Sequence, residues 1–383
     1  MKLKKYIYLD KIINKFLVNM IYFFSKRNFF FKANNDVKNI IIVKFLGIGS
    51  ISRSINMIFH LKNKFPNSKI TFVTFKENES LMKITNIIDN YFLIDKKNFF
   101  TLFIDFFNLI FKINKKNSIL VDLEVHSYFA KIFCLLINSK FKLGFYTNCK
   151  EQFYDKNFIF EDNVFIEDNY FKILKYFKYD PKNNVDTFSL LDLKDSGYTL
   201  KQKLKEIDIS ENDKFFLINI NASELCEERK WDVSNFISLI KNLLEINFKI
   251  LLIGSSSEKK YIESLLKNFK YPSNKLFNIA GRTSIGELFY ILKHYKNVFI
   301  TCDTGPLHLA NISKCATISL WGPGTPKSYA EYYENHKIIY KNVHCSPCIY
   351  VYTNAPCNGK NICMQDISVN EVLDECINLI EKI

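Results

Sequence analysis

The segment Phe299-Ile-Thr-Cys-Asp-Thr-Gly-Pro-Leu-His-Leu-Ala310 carries the most information about the fold of this chain. An apolar strand that begins at Asn297 runs directly into Asp303-Thr-Gly-Pro306 and then into a helical pattern. Asp303 or Thr304 can cap that helix, and proline suits its first turn because no N–H is needed there. Most such turns bind nothing, but the unpaired N–H groups and partial positive charge of a helix start favour phosphate. The segment therefore predicts a strand–turn–helix unit that offers an anion site.

Apolar strands alternate with helical patterns along both halves of the chain. Continuous apolar runs are typical of parallel strands that are covered on both faces. The alternation predicts an α/β fold with doubly wound parallel sheets. Strands are predicted at 39–44, 69–75, 91–94, 118–123, 214–220, 249–253, 297–301 and 316–320, and helices up to 64, at 98–113, up to 137, and at 233–246, 258–269 and 285–294.

The expected domain organisation follows from breaks in this pattern. The polar, turn-rich segment 181–213 has no clear strand and is predicted to link the two halves. We expect a basic amphipathic segment at 1–38, one Rossmann-like domain at 39–195 and a second at 196–367. Residues 368–383 are predicted to form a closing helix, capped by Ser368 with Glu371 at the capping-box position.

Composition limits the class of protein and of partner. The chain has 383 residues, and its 48% hydrophobic content is too high for a disordered protein. The net charge of +14 favours anionic partners such as nucleotide phosphates and anionic lipid. Nucleic acid is not an expected partner, because the basic residues are scattered and no nucleic-acid-binding motif occurs.

The N-terminal residues 1–33 mix Lys and Arg with Ile, Leu and Phe, which favours an amphipathic helix. Such a helix lies on an anionic membrane surface or packs on the protein's own flank, and the sequence leaves both open. The apolar runs Phe16–Phe24 and Phe99–Ile113 are shorter than the roughly 20 residues of a spanning helix. No signal peptide is expected, so the cytoplasm is the expected compartment.

A glycine-rich turn, Phe45-Leu-Gly47-Ile-Gly49-Ser50, follows the first strand and opens a helix. Two glycines after a strand are a weak signal for a dinucleotide. The third glycine of that fingerprint falls on Ser52, and no acidic residue ends the second strand. A nicotinamide cofactor is therefore not expected, and the glycines are interpreted as allowing a close approach to a ligand or helix.

Taken together, these motifs resemble glycosyltransferase family 9, the heptosyltransferases that use ADP-heptose and lipopolysaccharide and have the GT-B fold. The resemblance runs from about residue 39 to the C-terminus and is strongest in the second half. Its first-half features are the glycine-rich turn, Phe65-Pro66, Asp122-Leu-Glu124 and Gly144-Phe145. Its second-half motifs are Arg229-Lys-Trp231, Ile253-Gly254 with Glu258, Ala280-Gly-Arg-Thr-Ser-Ile-Gly-Glu287, Asp303-Thr-Gly-Pro-Leu-His308, Leu320-Trp-Gly-Pro323, and Cys345-Ser-Pro-Cys348 with Asp366-Ile367.

The resemblance implies a donor-binding second domain and an acceptor-binding first domain. It implies that Arg229, or Lys230 as the near alternative, pairs with the donor diphosphate, and that Glu258 contacts the nucleoside ribose. The donor-binding loop would comprise Asp303, Thr304, Gly305 and His308. Backbone N–H groups at a helix start and one cation can stabilise a leaving diphosphate without a metal.

The first domain departs from the family at Ser50. Gly47 and Gly49 match the acceptor-side loop, but the family usually has Asp after the second glycine as the base that activates the acceptor hydroxyl. Serine cannot take up a proton near neutral pH as a carboxylate can. Asp122, Glu124 and His126 end a neighbouring strand, and Glu124 is the hypothesis for the base. Two alternatives stay open: the reaction needs little base assistance, or the protein is a catalytically weak relative.

Ten cysteines occur in the sequence, and four of them cluster late as Cys345, Cys348, Cys357 and Cys363. The Cys-x2-Cys pair has zinc-ligand spacing, and four thiolates can close a tetrahedral structural site. The resemblance supplies no metal role for this cluster. No cofactor is expected to be required, and a structural zinc stays an alternative.

The function implied by the resemblance is transfer of a sugar, by default a heptose. The donor would be a nucleotide-diphosphate sugar and the acceptor a lipid-linked or lipopolysaccharide-type glycan. The transfer would invert the anomeric carbon, need no metal and take place at the inner face of the plasma membrane. The alternative is a weak or inactive relative that binds nucleotide sugars or glycans.

Overall fold

The structure is a computed structural model that describes residues 2–25, 37–97, 99–113, 117–147, 152–181, 185–222, 226–267, 274–349 and 355–383. The chain folds into two compact units. The N-terminal unit comprises Lys5–Leu191, and the C-terminal unit contains Asp192–Ile383.

The N-terminal unit is built on one parallel sheet with the strand order β3-β2-β1-β4-β5-β6. The central strands are buried and mostly apolar because both faces of the sheet are covered. The elements are α1 (Lys2–Ser25), β1 (Asn39–Val43), α2 (Ile48–Lys64), β2 (Lys69–Phe75), α3 (Glu79–Ile84), β3 (Asn90–Ile94), α4 (Phe99–Lys112), β4 (Ser118–Asp122), α5 (Tyr128–Leu136), β5 (Phe141–Tyr146), β6 (Lys156–Ile159) and α6 (Ile166–Tyr176).

The C-terminal unit repeats this plan, with the parallel strand order β12-β11-β10-β7-β8-β9. Its elements are α7 (Lys194–Lys205), β7 (Phe215–Asn219), α8 (Val233–Glu245), β8 (Lys249–Ile253), α9 (Lys259–Leu266), β9 (Leu276–Asn278), α10 (Ile285–His294), β10 (Asn297–Cys302), α11 (Gly305–Ser313), β11 (Ala316–Trp321), α12 (Pro326–Tyr329), β12 (His336–Tyr340), α13 (Ile362–Gln365) and α14 (Val369–Lys382).

Both sheets share one topological feature that positions a site. The chain begins in the middle of each sheet, moves to one edge, and then returns to place β4 beside β1 and β10 beside β7. Ligands of open α/β sheets bind in the crevice at the carboxyl ends of the strands on either side of such a switch point. The predicted fold class, two Rossmann-like doubly wound parallel sheets, is confirmed.

The segment 181–213, predicted as a linker region without a clear strand, contains a helix that was not predicted. Helix α7 occupies Lys194–Lys205 and packs on α10. A Cβ placed on Gly197 would lie 2.3 Å from the ring of Tyr290, so the glycine lets the two helices approach closely. Thr199 and Lys203 of α7 both donate to the buried carboxylate of Glu287.

The strands β5, β6, β9 and β12 were not predicted. Strands β6, β9 and β12 lie at sheet edges and β5 lies next to one, and lysine or asparagine interrupts the apolar run in each of the four. The amphipathic helix predicted within 1–33 is observed as α1, while residues 26–36 lie outside the described residues. Among the described helices, none has the length and apolar character needed to cross a membrane.

Candidate functional site

The first candidate site lies at the switch point of the C-terminal sheet, between β7 and β10. Strand β10 ends at Cys302, Asp303 follows it, and α11 begins at Gly305 with Thr304 as its N-cap residue. Pro306 lies in the first helical turn, as predicted. The strand–turn–helix unit therefore places the start of α11 where ligands of this fold bind.

The side chain of Thr304 does not cap α11, which corrects the predicted capping role. Its hydroxyl instead lies 3.0 Å from the Thr301 hydroxyl and accepts a hydrogen bond from the Asn219 amide at 3.2 Å. Within the described part of the chain, no side chain caps this helix start. The first turn of α11, which includes Gly305, therefore keeps the partial positive charge that favours an anion.

Asp303 is the acidic group of this turn, and Arg229 is its partner. Arg229 Nε lies 3.1 Å from Asp303 Oδ2, and both side chains are largely buried. Burial raises the pKa of Asp303, and the nearby guanidinium opposes that rise. A Cβ placed on Gly324 would lie 2.6 Å from the same carboxylate oxygen. The Gly-Pro-Gly motif after β11 therefore makes room for the Asp303 carboxylate.

The structure distinguishes the two cations that the sequence offered for the diphosphate. Arg229 faces the turn through Asp303. The ammonium of Lys230 lies instead over the ring of Tyr261, 5.5 Å from its centroid. This favours Arg229 as the cation of the donor loop, because only its charge is held against that loop by an ion pair.

Glu258 follows β8, the strand beside β7. Its Oε2 accepts hydrogen bonds from the Ser255 backbone N–H at 2.6 Å and from the Ser255 hydroxyl at 2.8 Å. These bonds hold the serine-rich loop in place. Gly281 lies against the same loop with φ 71°, and a Cβ there would lie 2.9 Å from Ser256 Cα. The Ala-Gly-Arg motif thus supports the loop that carries Glu258.

His308 lies on α11, one turn after the helix start, and is 7% exposed. Its ring is 6.0 Å from that of Tyr329, edge to face. His308 therefore packs against α12, and its role in donor binding stays a prediction.

The second candidate site lies at the switch point of the N-terminal sheet, between β1 and β4. Glu124, which follows β4, accepts hydrogen bonds through Oε1 from the backbone N–H groups of Phe45 and Leu46, both at 2.8 Å. Its Oε2 accepts from Lys44 Nζ at 2.9 Å. The carboxylate therefore holds the start of the glycine-rich turn, a contact that sequence reasoning missed along with Lys44.

This geometry bears on the hypothesis that Glu124 is the base. A general base needs a lone pair directed at the acceptor hydroxyl, and three donors already occupy this carboxylate. The arrangement suits a residue that positions the turn better than one that takes up a proton. Its catalytic role stays a prediction.

Asp122 does not suit a catalytic role. Its side chain is fully buried and accepts hydrogen bonds from the Glu124 backbone N–H at 2.9 Å and from the Tyr154 hydroxyl. Burial raises the pKa of Asp122 to about 6, opposed by Lys131 and the Tyr154 hydroxyl. A Cβ on Gly144 would lie 2.2 Å from the Tyr154 ring, which explains that glycine. Asp122 supports the strand end from inside and has no surface to offer an acceptor.

Ser50 completes the glycine-rich turn and does not replace the missing acid. Its hydroxyl donates to the Gly47 carbonyl at 2.9 Å. Gly47 has φ 83°, a left-handed conformation that favours glycine, and a Cβ there would meet the Ser50 hydroxyl at 2.8 Å. Gly49 is buried in the first turn of α2. Burial lowers the pKa of His126, so that imidazole is mainly neutral at neutral pH.

Three of the late cysteines, Cys345, Cys348 and Cys363, are buried, and Cys357 is partly buried. Burial, and then the neighbouring thiols, raise the pKa of Cys363 to about 11. Among the residues that the structure describes, no three His, Cys, Asp or Glu side chains are arranged to hold a metal ion. The structural zinc therefore stays an untested alternative.

Comparisons with known proteins identify relatives of this chain. Lipooligosaccharide heptosyltransferase 2 of Campylobacter jejuni subsp. jejuni serotype O:2 is 26% identical to it over 192 residues. That alignment covers 49% of this chain and 58% of the relative, so the chain spans little more than half the length of the curated relatives it matches.

Two solved structures share the fold across nearly the whole chain. The glycosyl transferase family 9 protein of Veillonella parvula has a TM-score of 0.73 at 16% identity and covers 91% of this chain and 100% of its own. The ADP-heptose lps heptosyltransferase II of E. coli has a TM-score of 0.70 at 14% identity, with 90% and 99% covered. The sequence model described as Glycosyltransferase family 9 (heptosyltransferase) matches residues 161–357, just over half of the chain. This chain, with its two Rossmann-like units and the GT-B fold, therefore belongs to glycosyltransferase family 9.

Proposed function

We propose that the protein is a glycosyltransferase that moves a sugar, by default a heptose, from a nucleotide-diphosphate donor to a lipopolysaccharide-type or other cell-surface glycan. The observation that carries this proposal is the start of α11, which lies at the switch point of the C-terminal sheet and is capped by no side chain among the described residues. Arg229 is held beside it by Asp303. A helix start and one cation together suit a diphosphate leaving group.

The proposed reaction is a direct displacement with inversion. The acceptor hydroxyl oxygen attacks the anomeric carbon, the bond from that carbon to the diphosphate oxygen breaks, and the bonding electrons leave with the nucleoside diphosphate. Negative charge grows on the leaving phosphate, where the α11 amides and the Arg229 guanidinium stabilise it. Because these groups already supply positive charge, the proposal needs no divalent metal.

A general base must accept the proton of the acceptor hydroxyl. Glu124 is the hypothesis for the base that the sequence supplies, but its carboxylate already accepts three hydrogen bonds, which favours a positioning role. His126 is the second, because a neutral imidazole can accept a proton. Glu124→Gln and His126→Ala variants separate the two: loss of the true base lowers turnover most at neutral and higher pH, where that base is deprotonated, and removes the fall of turnover at acid pH.

A thermal-shift panel of ADP-, GDP- and UDP-sugars tests the donor class. A ligand that binds only the folded chain raises the melting temperature, so the largest rise identifies the nucleotide. We expect ADP-heptose to give that rise, with release of ADP when a lipopolysaccharide-type acceptor is added. A panel in which no nucleotide sugar shifts the melting temperature would contradict the proposal.

The second candidate function is a binding protein of the same fold with little or no transfer activity. Ser50 favours it, because serine stands where the family usually has the acidic base. Both candidate functions predict that the chain binds the donor, but only the enzyme transfers the sugar. ADP release that depends on acceptor supports the enzyme, whereas donor binding without any release supports the binding protein.

We also propose that the protein works in the cytoplasm, at the inner face of the plasma membrane, where a lipid-linked acceptor is available. Metal analysis of the purified chain addresses the alternative structural zinc at the four late cysteines. A zinc content below about a tenth of an equivalent would exclude that site.

A further inference from the structure

One face of helix α1 (Lys2–Ser25) packs against the N-terminal unit. Asp10 accepts hydrogen bonds from the backbone N–H groups of Tyr128 and Phe129, at 2.5 and 3.0 Å, and thereby caps α5. Val18 is fully buried in the core of this unit, and the ring of Tyr22 packs on Phe153 at 5.6 Å. This face anchors the helix to the sheet layer below it.

The other face of α1 is apolar and exposed. Its residues recur at helical spacing, and their exposed fractions range from 42% to 73%: Tyr8, Ile12, Phe16, Met20 and Phe23. At 100° per residue these five positions span about 120° of the helix, away from Asp10 and Val18. A continuous stripe of large apolar side chains of this kind marks an interaction surface rather than scattered surface hydrophobes.

Helix α4 (Phe99–Lys112) adds a second exposed stripe, formed by Ile104, Phe107 and Phe111, the last of which is 78% exposed. Its buried residues Phe106 and Leu109 belong to the same core cluster as Val18. Both helices therefore belong to the helical layer over one face of the N-terminal sheet, and their stripes enlarge the apolar surface of that layer.

The charge of α1 indicates what kind of surface binds this stripe. Its sequence contains five lysines and one acid, Asp10, whose carboxylate is occupied by α5. Lys15 is exposed and lies about 20° from Tyr8 around the helix. A basic helix with one apolar face binds the boundary between headgroups and acyl chains of an anionic bilayer.

We propose that α1 is a membrane-docking helix, whose stripe Tyr8, Ile12, Phe16, Met20 and Phe23 enters the surface of an anionic phospholipid bilayer. Lys15, beside the stripe, then contacts the lipid phosphates. The inner face of α1 stays on the unit, so the helix lies along the surface. This attachment goes beyond the proposed transfer reaction and stands or falls separately from it.

Co-sedimentation of the full chain with vesicles tests the proposal. One set contains phosphatidylcholine alone, and the other contains equal parts of phosphatidylcholine and phosphatidylglycerol. We expect binding to the anionic set that falls with added salt. The variant Phe16→Ser/Phe23→Ser should bind about tenfold more weakly or worse, because two exposed aromatic rings no longer enter the lipid. Lys15→Glu should bind more weakly while it keeps the stripe.

The matched control is Tyr198→Ser/Tyr332→Ser, which removes two exposed aromatic rings from the C-terminal unit. It should bind vesicles as the unchanged chain does. Melting temperatures and the shift produced by ADP-sugars should be the same in all variants, so a failure of donor binding is separable from a failure of docking. Equal binding of the unchanged chain and the Phe variant to anionic vesicles would overturn the proposal. The proposal would also be overturned if light scattering showed that the unchanged chain is a dimer and the Phe16→Ser/Phe23→Ser variant a monomer. A second copy of the chain would then cover the stripe.

Discussion

Arg229 Nε lies 3.1 Å from Asp303 Oδ2, and the side chains are 16% and 4% exposed. The pair joins the segment between β7 and α8 to the residue that follows β10, and β7 and β10 border the switch point of the C-terminal sheet. The pair holds the Arg229 guanidinium beside the start of α11. Burying the Asp303 carboxylate away from water costs free energy, which the ion pair offsets.

Arg229→Ala should lower the free energy of unfolding by about 3 kcal/mol, because it leaves a buried carboxylate without its partner. Arg229→Ala/Asp303→Asn should cost less than the single variant, since no buried charge then remains unpaired. Trp231 and Trp321 are the two tryptophans of the chain and both lie in this unit, so urea denaturation followed by tryptophan fluorescence reports on it. Both variants should bind ADP-sugars about tenfold more weakly or worse than the unchanged chain. A double variant that is less stable than Arg229→Ala, or unchanged donor affinity, would contradict this account.

Glu124→Gln and Lys44→Met separate a positioning role from a proton-transfer role. If Glu124 positions the glycine-rich turn, the two variants should raise the acceptor KM by similar factors, because each breaks one contact of the same network. If Glu124 is also the base, Glu124→Gln should lower kcat by about a hundredfold or more while Lys44→Met keeps most of it. We expect the first pattern. Steady-state kinetics with varied acceptor decide, and a kcat loss confined to Glu124→Gln would refute a purely positioning role.

The sequence predicted some elements of this fold accurately and could not predict certain contacts. The segments 69–75, 249–253 and 285–294 were predicted with their observed bounds, because buried parallel strands are continuous apolar runs and α10 begins at a capping box, Ser284 with Glu287. The strand–turn–helix unit at Asp303-Thr-Gly-Pro306 was predicted because its pattern is local, and its role in donor binding stays a prediction. The Glu124 contact with Phe45 and Leu46 could not be found, since it joins backbone groups 78 and 79 residues away. The contact between Gly197 and Tyr290 was missed for the same reason.

Gly197→Ala tests whether α7 is a packed helix of the C-terminal unit. In an exposed helix this change would stabilise the chain by about 0.5–1 kcal/mol, because glycine loses more backbone entropy on folding. Here the new Cβ would lie 2.3 Å from the Tyr290 ring, so we expect a loss of about 1–3 kcal/mol from overpacking. In a Tyr290→Ala background the sign should reverse to a small gain. Urea denaturation followed by tryptophan fluorescence measures both, and a stabilising effect in the unchanged background would refute the packing.

The stability of the N-terminal unit should depend on the ionisation of Asp122. Its pKa is about 6 in the folded chain, against an ordinary 3.8, because burial disfavours the carboxylate. Below about pH 4 the group is protonated in both states and its contribution to stability is complete. As pH rises to about 6 the unfolded chain loses the proton first, so the free energy of unfolding falls, by about 3 kcal/mol in total at 1.4 kcal/mol per pKa unit. Above that range the contribution is constant.

Asp122→Asn should remove this dependence, so that the difference in unfolding free energy between the unchanged chain and the variant falls between about pH 4 and 6 and is then flat. Tyr154→Phe should move the end of that window to higher pH, because the Tyr154 hydroxyl donates to the carboxylate and favours its charged form. Since neither tryptophan lies in this unit, denaturation followed by circular dichroism makes the measurement. A difference that does not change with pH would show that Asp122 has the same pKa in the folded and unfolded chain, and its place in the interior would then need another explanation.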